Sequence, residues 1–125
     1  MNNYLKNKKI LLIITGGIAS YKALDLIRRL QEFKCIVECI LTESSLHFVN
    51  QITFESLLGK KVHSNLFSLN EEKKMSHIYL ANEVDLILVV PCTANFLSKI
   101  ANGIADDLAL NVILASKKKK LLHQQ

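Results

Sequence analysis

The stretch "KKILLIITGG", residues 8–17, decides the fold of this 125-residue chain. An unbroken apolar run from Ile10 to Ile14, β-branched at both ends, leads directly into Thr15-Gly16-Gly17. Continuous apolar character over such a short run is typical of a strand buried on both faces, as in a parallel sheet. The glycines that follow predict a tight turn out of that strand.

An amphipathic helix is predicted after this turn. Residues 18–33, "IASYKALDLIRRLQEF", carry apolar side chains at steps of three, and this spacing predicts a helix with one stripe against the sheet. The segments 35–42 ("CIVECILT") and 85–91 ("DLILVVP") predict two more strands, each followed by helical patterns. Alternating strands and helices predict an α/β fold: a three-layer, doubly wound parallel sheet with right-handed crossovers.

Length and composition indicate one globular domain. Half of the residues are hydrophobic and 22% are charged, so the chain can bury one core but is too short for two. The formal net charge is +5, and four of these charges belong to Lys117–Lys120. We therefore expect no basic face that binds nucleic acid.

The N-terminal region argues against export. The apolar run behind the basic N-terminus ends at Thr15, and no apolar stretch reaches the roughly 20 residues of a membrane helix. We therefore expect a cytoplasmic protein that does not bind membranes. Cys35, Cys39 and Cys92 lack the spacing of zinc ligands, so we expect buried or half-buried free thiols and no metal site.

Three polar segments follow the predicted strands: "TGG" at 15–17, "TESS" at 42–45 and "PCTAN" at 91–95. Doubly wound sheets bind ligands beyond the carboxyl ends of their strands. Hydroxyl groups and free backbone N–H groups at helix N-termini suit an anion, which predicts a phosphate-bearing ligand. The alternative is a glycine turn needed only for chain reversal. Neither a G-x-G-x-x-G fingerprint nor a Walker A loop is present.

Four longer segments occur in a characteristic order and spacing: residues 8–30, 40–49, 53–62 and 76–110. Together they resemble the flavin-dependent cysteine decarboxylases, most closely the phosphopantothenoylcysteine decarboxylases, which usually form the N-terminal half of a bifunctional coenzyme A biosynthesis protein. "PCTAN" is similar to the Pro-x-Ser/Thr-Ala-Asn motif of that family, and "SHIYLA" is similar to its His-Ile-x-Leu motif. Ser76 is a mild departure, because the family often has glycine there.

The resemblance implies a flavodoxin-like fold, a homotrimer or a dodecamer of trimers, and FMN bound between protomers. The implied cofactor contacts are Gly16, Gly17 and Ile18 after the first strand, Thr42 and Ser44 after the second, and Thr93, Ala94 and Asn95 after the third.

The resemblance also implies a carboxy-lyase that converts phosphopantothenoylcysteine to phosphopantetheine. Oxidation of the substrate thiol towards a thioaldehyde allows the adjacent carboxylate to leave. His77 is the implied active-site histidine, and an imidazole suits proton transfer because its pKa lies near neutral pH.

Other functions stay open at this stage. A non-catalytic FMN-binding or regulatory subunit could use the same fold and trimer surface. A related flavoprotein could act on a peptide with a C-terminal cysteine, whereas "SHIYLA" argues against a prenyl-transfer relative. We also expect a separate synthetase chain as a partner.

The end of the chain, "KKKKLLHQQ" at 117–125, departs from the family. The resemblance implies a further buried strand, a Pro-Ala-Met-Asn motif that binds the substrate carboxylate, and a flap cysteine, and none of them is found here. One set of codons for the last five residues and the stop encodes Ile-Ala-Pro-Ala-Met when shifted by one nucleotide, and lysine codons form a poly-A tract.

We therefore expect residues 1–116 to form the flavoprotein domain and residues 117–125 to be a frameshifted, Lys-rich tail. Such a chain would be a truncated decarboxylase without its last strand, weakly active or inactive. The alternative is a genuine solvated tail, which is the usual interpretation of a charge run.

Overall fold

The computed structural model describes residues 4–64 and 79–124. In this part of the chain, four strands form one sheet: β1 (Lys9–Ile14), β2 (Ile36–Leu41), β3 (Leu86–Cys92) and β4 (Lys119–Gln124). Four helices accompany them: α1 (Lys22–Glu32), α2 (Gln51–Leu58), α3 (Ala94–Ala101) and α4 (Leu108–Ala115). Shorter pieces are the 3-10 turns Ile18–Tyr21 and Ser45–His47 and the helical residues 79–83.

The strand order across the sheet is β2-β1-β3-β4, and all neighbouring strands are parallel. This is the flavodoxin-like order, in which the direction of winding reverses between β1 and β3. The predicted doubly wound parallel sheet is therefore confirmed.

β1 lies inside the sheet because its side chains are apolar on both faces. Ile10, Leu12 and Ile14 pack on one face with α1 and α2. Leu11 and Ile13 pack on the other face with α3 and α4. All five side chains are at most 1% exposed, and each such burial stabilises the fold by about 1.5–3 kcal/mol. The continuous apolar run thus produces the three layers that the sequence predicts.

Local signals set the helix boundaries. α1 buries Ala23, Ile27 and Leu30, of which Ile27 and Leu30 lie at the predicted steps of three. The helix predicted over residues 18–33 begins only at Lys22, after the 3-10 turn Ile18–Tyr21, and Tyr21 is exposed. Asn50 caps the start of α2, because its side chain accepts the N–H of Ile52 at 2.8 Å. The helix ends at Gly59, whose φ of 74° favours glycine.

β4 differs from the sequence prediction. We expected the chain to lack its last strand and to end in a tail after residue 116, but Lys119–Gln124 pairs in parallel with β3. The physical reason is that pairing uses backbone N–H and C=O groups, which the edge of β3 offers to any proline-free segment. Lysines are tolerated in this position because an edge strand leaves them in solvent. The frameshift from about Leu121 onward stays a prediction.

The three cysteines are free and buried, as predicted. Burial raises the pKa of the Cys39 thiol far above its ordinary value. After α2, the structure describes residues 60–64, and His63 forms an isolated parallel bridge with Ile40. Within the described ranges, no helix is long and apolar enough to cross a membrane.

Candidate functional site

The carboxyl ends of β1, β2 and β3 open into one cavity of about 480 Å³. This volume lies in the usual range of small-molecule and cofactor sites. The walls come from the three strand-end loops, from α3 and from the start of α4. The cavity adjoins the point between β1 and β3 where the strand order reverses, which is where doubly wound sheets bind ligands.

The structure brings the three predicted segments together. Six of the predicted cofactor residues line the cavity: Gly16, Gly17, Thr42, Ser44, Thr93 and Asn95. Ala94 is an exposed residue at the first position of α3 and does not line this cavity, and Ile18 begins the 3-10 turn after Gly17. His77 lies outside the described residues. The role of each residue in binding a cofactor stays a prediction.

Thr15 joins the end of β1 to the end of β3. Its side chain is buried, and its hydroxyl donates to the carbonyl of Pro91 and accepts the N–H of Thr93 at 3.3 Å. The buried hydroxyl of Ser20 lies 3.0 Å from the carbonyl of Thr15 and 2.7 Å from that of Gly17. These contacts hold the Thr-Gly-Gly turn in one conformation. The sequence prediction placed Thr15 in an anion-binding segment, did not predict its bonds to the end of β3, and assigned no role to Ser20.

Thr42 joins the end of β2 to β1 in a similar way. Its hydroxyl donates to the carbonyl of Ile14 at 3.1 Å and accepts the N–H of Ser45 at 3.2 Å. The loops after β1 and β2 also touch directly, because a Cβ added at Gly16 would lie 2.8 Å from the Cβ of Ser44. Only glycine therefore allows this approach of the two loops.

Helix α3 begins at the border of the cavity. Thr93 caps it, since its hydroxyl accepts the N–H of Phe96 at 3.2 Å. Asn95 lies in the first turn, is exposed, and makes no side-chain hydrogen bond to the residues that the structure describes. Its amide is therefore available to a ligand.

α3 and α4 bring charged groups to the cavity. The Lys99 ammonium lies 2.9 Å from a carboxylate oxygen of Asp106. Asp107 caps α4, because its side-chain carboxylate accepts the N–H of Leu110 at 2.7 Å. Burial raises the pKa of the Asp107 carboxyl, and the hydrogen bond from Leu110 partly opposes this shift.

An anion held in this cavity would depend on neutral donors. Lys99 is the one basic residue among the described residues that line the cavity, and it is already paired with Asp106. The N–H of Gly16 and the hydroxyl of Ser44 have no hydrogen-bond partner among residues 4–64 and 79–124. These two groups can donate to the oxygen atoms of an anion. The described residues contain no cluster of metal-ligating side chains.

Two phenylalanines that the sequence prediction missed add an apolar wall. Phe48, from the 3-10 turn after β2, is 50% exposed, while Phe96 in the first turn of α3 is buried, and both line the cavity. Both are apolar, so the prediction of anion ligands from polar residues at the strand ends does not include them. An apolar wall beside polar donors suits a ligand that combines a ring with a phosphate.

The sequence of this chain matches a known protein family. The profile of the Flavoprotein family matches residues 1–123. The chain belongs to the flavoprotein family. The coenzyme A biosynthesis bifunctional protein CoaBC of Bacillus subtilis is 42% identical over 112 residues, which are 90% of this chain and 28% of that protein. CoaBC of Borreliella burgdorferi is 41% identical over 111 residues, or 89% of this chain and 28% of that protein. The chain thus spans about 28% of the length of these relatives.

Solved structures agree with this family. The FMN-dependent cysteine decarboxylase SpaF superposes with a TM-score of 0.86 over 94% of this chain and 68% of its own, at 21% identity. An EpiD variant complexed with a substrate peptide gives 0.82 at 26% identity, covering 95% of this chain and 66% of its own. A PPC decarboxylase variant complexed with pantothenoylaminoethenethiol gives 0.68 at 25% identity, covering 90% and 62%. The flavodoxin-like fold and the resemblance predicted from the motifs are confirmed.

Proposed function

We propose that this chain is an FMN-binding decarboxylase domain that converts phosphopantothenoylcysteine to phosphopantetheine in coenzyme A biosynthesis. The observation that carries the proposal is the convergence of three strand-end loops on one cavity, in a chain 42% identical to CoaBC of Bacillus subtilis. The fold shared with solved FMN-dependent cysteine decarboxylases supports it.

The residues around the cavity fit FMN. The N–H of Gly16 and the hydroxyl of Ser44 are donors for its phosphate, since neither has a partner among the described residues. Phe48 and Phe96 offer apolar surface to its ring, and the volume of about 480 Å³ admits a ligand of this size. The Asn95 amide supplies a further polar contact from the first turn of α3.

When bound, FMN supplies reversible two-electron oxidation of the substrate thiol, which makes loss of the neighbouring carboxylate possible. The residues of this chain hold the ligand in place and keep its surroundings fixed. Thr42 and Thr15 tie the loops of the cavity to neighbouring strands, so that the donor groups are ordered before a ligand arrives. We assign proton transfer to His77, because a neutral imidazole can accept a proton at the working pH.

The proposal includes the assembly implied by the family resemblance. We expect a homotrimer or a dodecamer of trimers with FMN between protomers, a separate synthetase chain, and a cytoplasmic location.

The test combines FMN binding with carbon dioxide release. We expect the purified chain to bind FMN and to release carbon dioxide from phosphopantothenoylcysteine, but not from the serine analogue, which has no thiol. His77→Asn should retain FMN and lose about 100-fold or more of the release, the usual contribution of a general acid or base. FMN binding without release from the thiol substrate would replace this proposal with a non-catalytic flavin-binding subunit.

A further inference from the structure

We propose that Thr15 is a positioning residue whose buried hydroxyl sets the affinity of the cavity for FMN. Its hydroxyl holds the loop after β3 in register with the end of β1. The inference rests on the proposed function, because FMN is the ligand whose binding it controls. Although Thr15 borders the cavity, its side chain is only 2% exposed. It therefore acts through its neighbours and not through direct contact with the ligand.

The regular pairing of β1 with β3 stops short of the cavity. The last paired residues are Ile13 and Val89. The pairing of β3 with β4 is also irregular between Val89 and Cys92. On the β4 side, Cys92 pairs with Gln124 after this irregularity. On the β1 side, strand pairing leaves the segment from Pro91 onward without a regular partner at the level where the cavity begins.

The Thr15 hydroxyl supplies the missing connection. A threonine hydroxyl has one donor and two acceptor positions. The donor is directed to the carbonyl of Pro91, and one acceptor position takes the N–H of Thr93 at 3.3 Å. Among the described residues, these are the hydrogen bonds that join Thr15 and the turn after it to the segment 91–95.

The position of Thr93 then determines the position of helix α3. The Thr93 hydroxyl accepts the N–H of Phe96 at 3.2 Å, and its carbonyl accepts the N–H of Leu97 at 2.9 Å. Both bonds fix the first turn of α3, which contains Asn95. A shift of Thr93 would therefore displace Asn95 and Phe96, two residues that line the cavity.

The Thr15 main chain is held from the other side as well. The Ser20 hydroxyl lies 3.0 Å from the carbonyl of Thr15 and 2.7 Å from that of Gly17, and the N–H of Ser20 donates to Gly17 at 3.1 Å. Thr15 is thus rigid with respect to the Gly16-Gly17 turn. Its hydroxyl bonds to Pro91 and Thr93 hold the loop after β3 against this rigid turn. The loops after β1 and β3, which form two walls of the cavity, therefore keep a fixed relative position.

Three variants separate this role from a general effect on stability. Thr15→Val keeps the shape and removes the hydroxyl, while Thr15→Ser keeps the hydroxyl and removes the methyl group. Ile27→Val is the matched control, because Ile27 is fully buried in α1 and does not line the cavity. FMN affinity is measured by fluorescence titration, and thermal unfolding is followed for each variant.

We expect Thr15→Val to weaken FMN binding by about tenfold or more, since it leaves the N–H of Thr93 and the carbonyl of Pro91 without their partner. Thr15→Ser should bind within about threefold of the wild type, and Ile27→Val should lower the unfolding temperature without changing FMN affinity. If Thr15→Val does not fold, Thr15→Cys takes its place, because a thiol is a weak donor of similar size.

Two results overturn the inference and leave the proposed function standing. One is that Thr15→Val binds FMN as tightly as the wild type does. Where Thr15→Cys has replaced Thr15→Val, the same result with Thr15→Cys counts. The other is a loss of affinity in Thr15→Ser as large as in Thr15→Val. If the wild type itself binds no FMN, the proposed function fails, and the inference is overturned with it.

Discussion

At the residue scale, the contact between Gly16 and Ser44 shapes the cavity. An added Cβ at Gly16 would lie 2.8 Å from the Cβ of Ser44 and 3.2 Å from its carbonyl carbon and oxygen. Since two of these atoms belong to the backbone, Gly16→Ala must push the loops after β1 and β2 apart. We expect about 1–3 kcal/mol lower stability in urea unfolding and at least about tenfold weaker FMN binding in a fluorescence titration.

Gly59→Ala is the control for this prediction. Gly59 has a φ of 74°, so alanine is strained there, yet no atom lies within 4 Å of the added Cβ. We expect a loss of about 1–2 kcal/mol from the left-handed backbone, with FMN affinity unchanged. FMN binding by Gly16→Ala at wild-type strength would contradict the role assigned to the contact between the two loops.

Residues that line the cavity can be recognised from the sequence where they follow a strand closely. Glycines and hydroxyl residues after a strand are recognisable as a group, and five of those predicted meet in the cavity together with Asn95. The sequence predicts Thr15 only as part of an anion-binding segment, because its partners Pro91 and Thr93 become its neighbours only after the strands are placed side by side. Phe48 was missed for a similar reason, since its exposed ring borders the cavity only in three dimensions.

At the element scale, β4 protects the edge of β3. Deletion of residues 119–125 would leave β3 as an edge strand rich in leucine, isoleucine and valine, which is prone to pair with other chains. We expect a lower unfolding temperature in a thermal scan and aggregates on a sizing column. The control is Lys117→Gln with Lys118→Gln, which removes two charges outside β4 and should leave both properties unchanged. A deletion variant that stays monodisperse and equally stable would show that β4 contributes nothing to the sheet.

At the other edge of the sheet, Glu38 on β2 holds the segment after α2. One carboxylate oxygen lies 3.1 Å from a ring nitrogen of His63, and the other lies 3.2 Å from the ammonium of Lys60. The hydrogen bond with His63 and then the interactions with Lys60 lower the pKa of Glu38, although partial burial acts in the opposite direction.

The lowered pKa of Glu38 makes this contact dependent on pH. Its stabilisation is fully present above the unfolded-state pKa and is lost as the pH falls through the lower folded-state value. We expect Glu38→Gln to cost about 0.5–1.5 kcal/mol in urea unfolding at about pH 7 and much less at about pH 3. Glu32→Gln, at the exposed end of α1, is the control. An equal cost of Glu38→Gln at both pH values would contradict the role of the ionised carboxylate.

The sequence predicted β1, β2 and β3 because each carries enough apolar residues to be recognised by itself. β4 was missed, because four lysines and a polar end have neither strand periodicity nor an apolar run. Its pairing depends on the backbone of β3, which is distant in the sequence: Lys119 pairs with Leu86, 33 residues earlier. The frameshift hypothesis is tested by the nucleotides after Ser116: if neither shifted frame encodes Pro-Ala-Met-Asn, it is wrong.

At the scale of the whole molecule, the strand order determines where the site lies. Reversal of winding between β1 and β3 places the three strand-end loops around one cavity, and the two apolar faces of β1 hold helices on both sides. This much follows from the alternation of strands and helices. The alternation of strands and helices does not predict a trimer with FMN between its protomers. Association depends on a surface formed by more than one chain.

The most direct measurement mixes the purified chain with FMN, passes it over a sizing column, and records visible absorbance together with light scattering. The proposed function predicts one flavin per chain, co-eluting with a particle of the trimer mass or a multiple of it. A folded chain from which FMN elutes separately would contradict the central proposal that the strand-end loops form a flavin site.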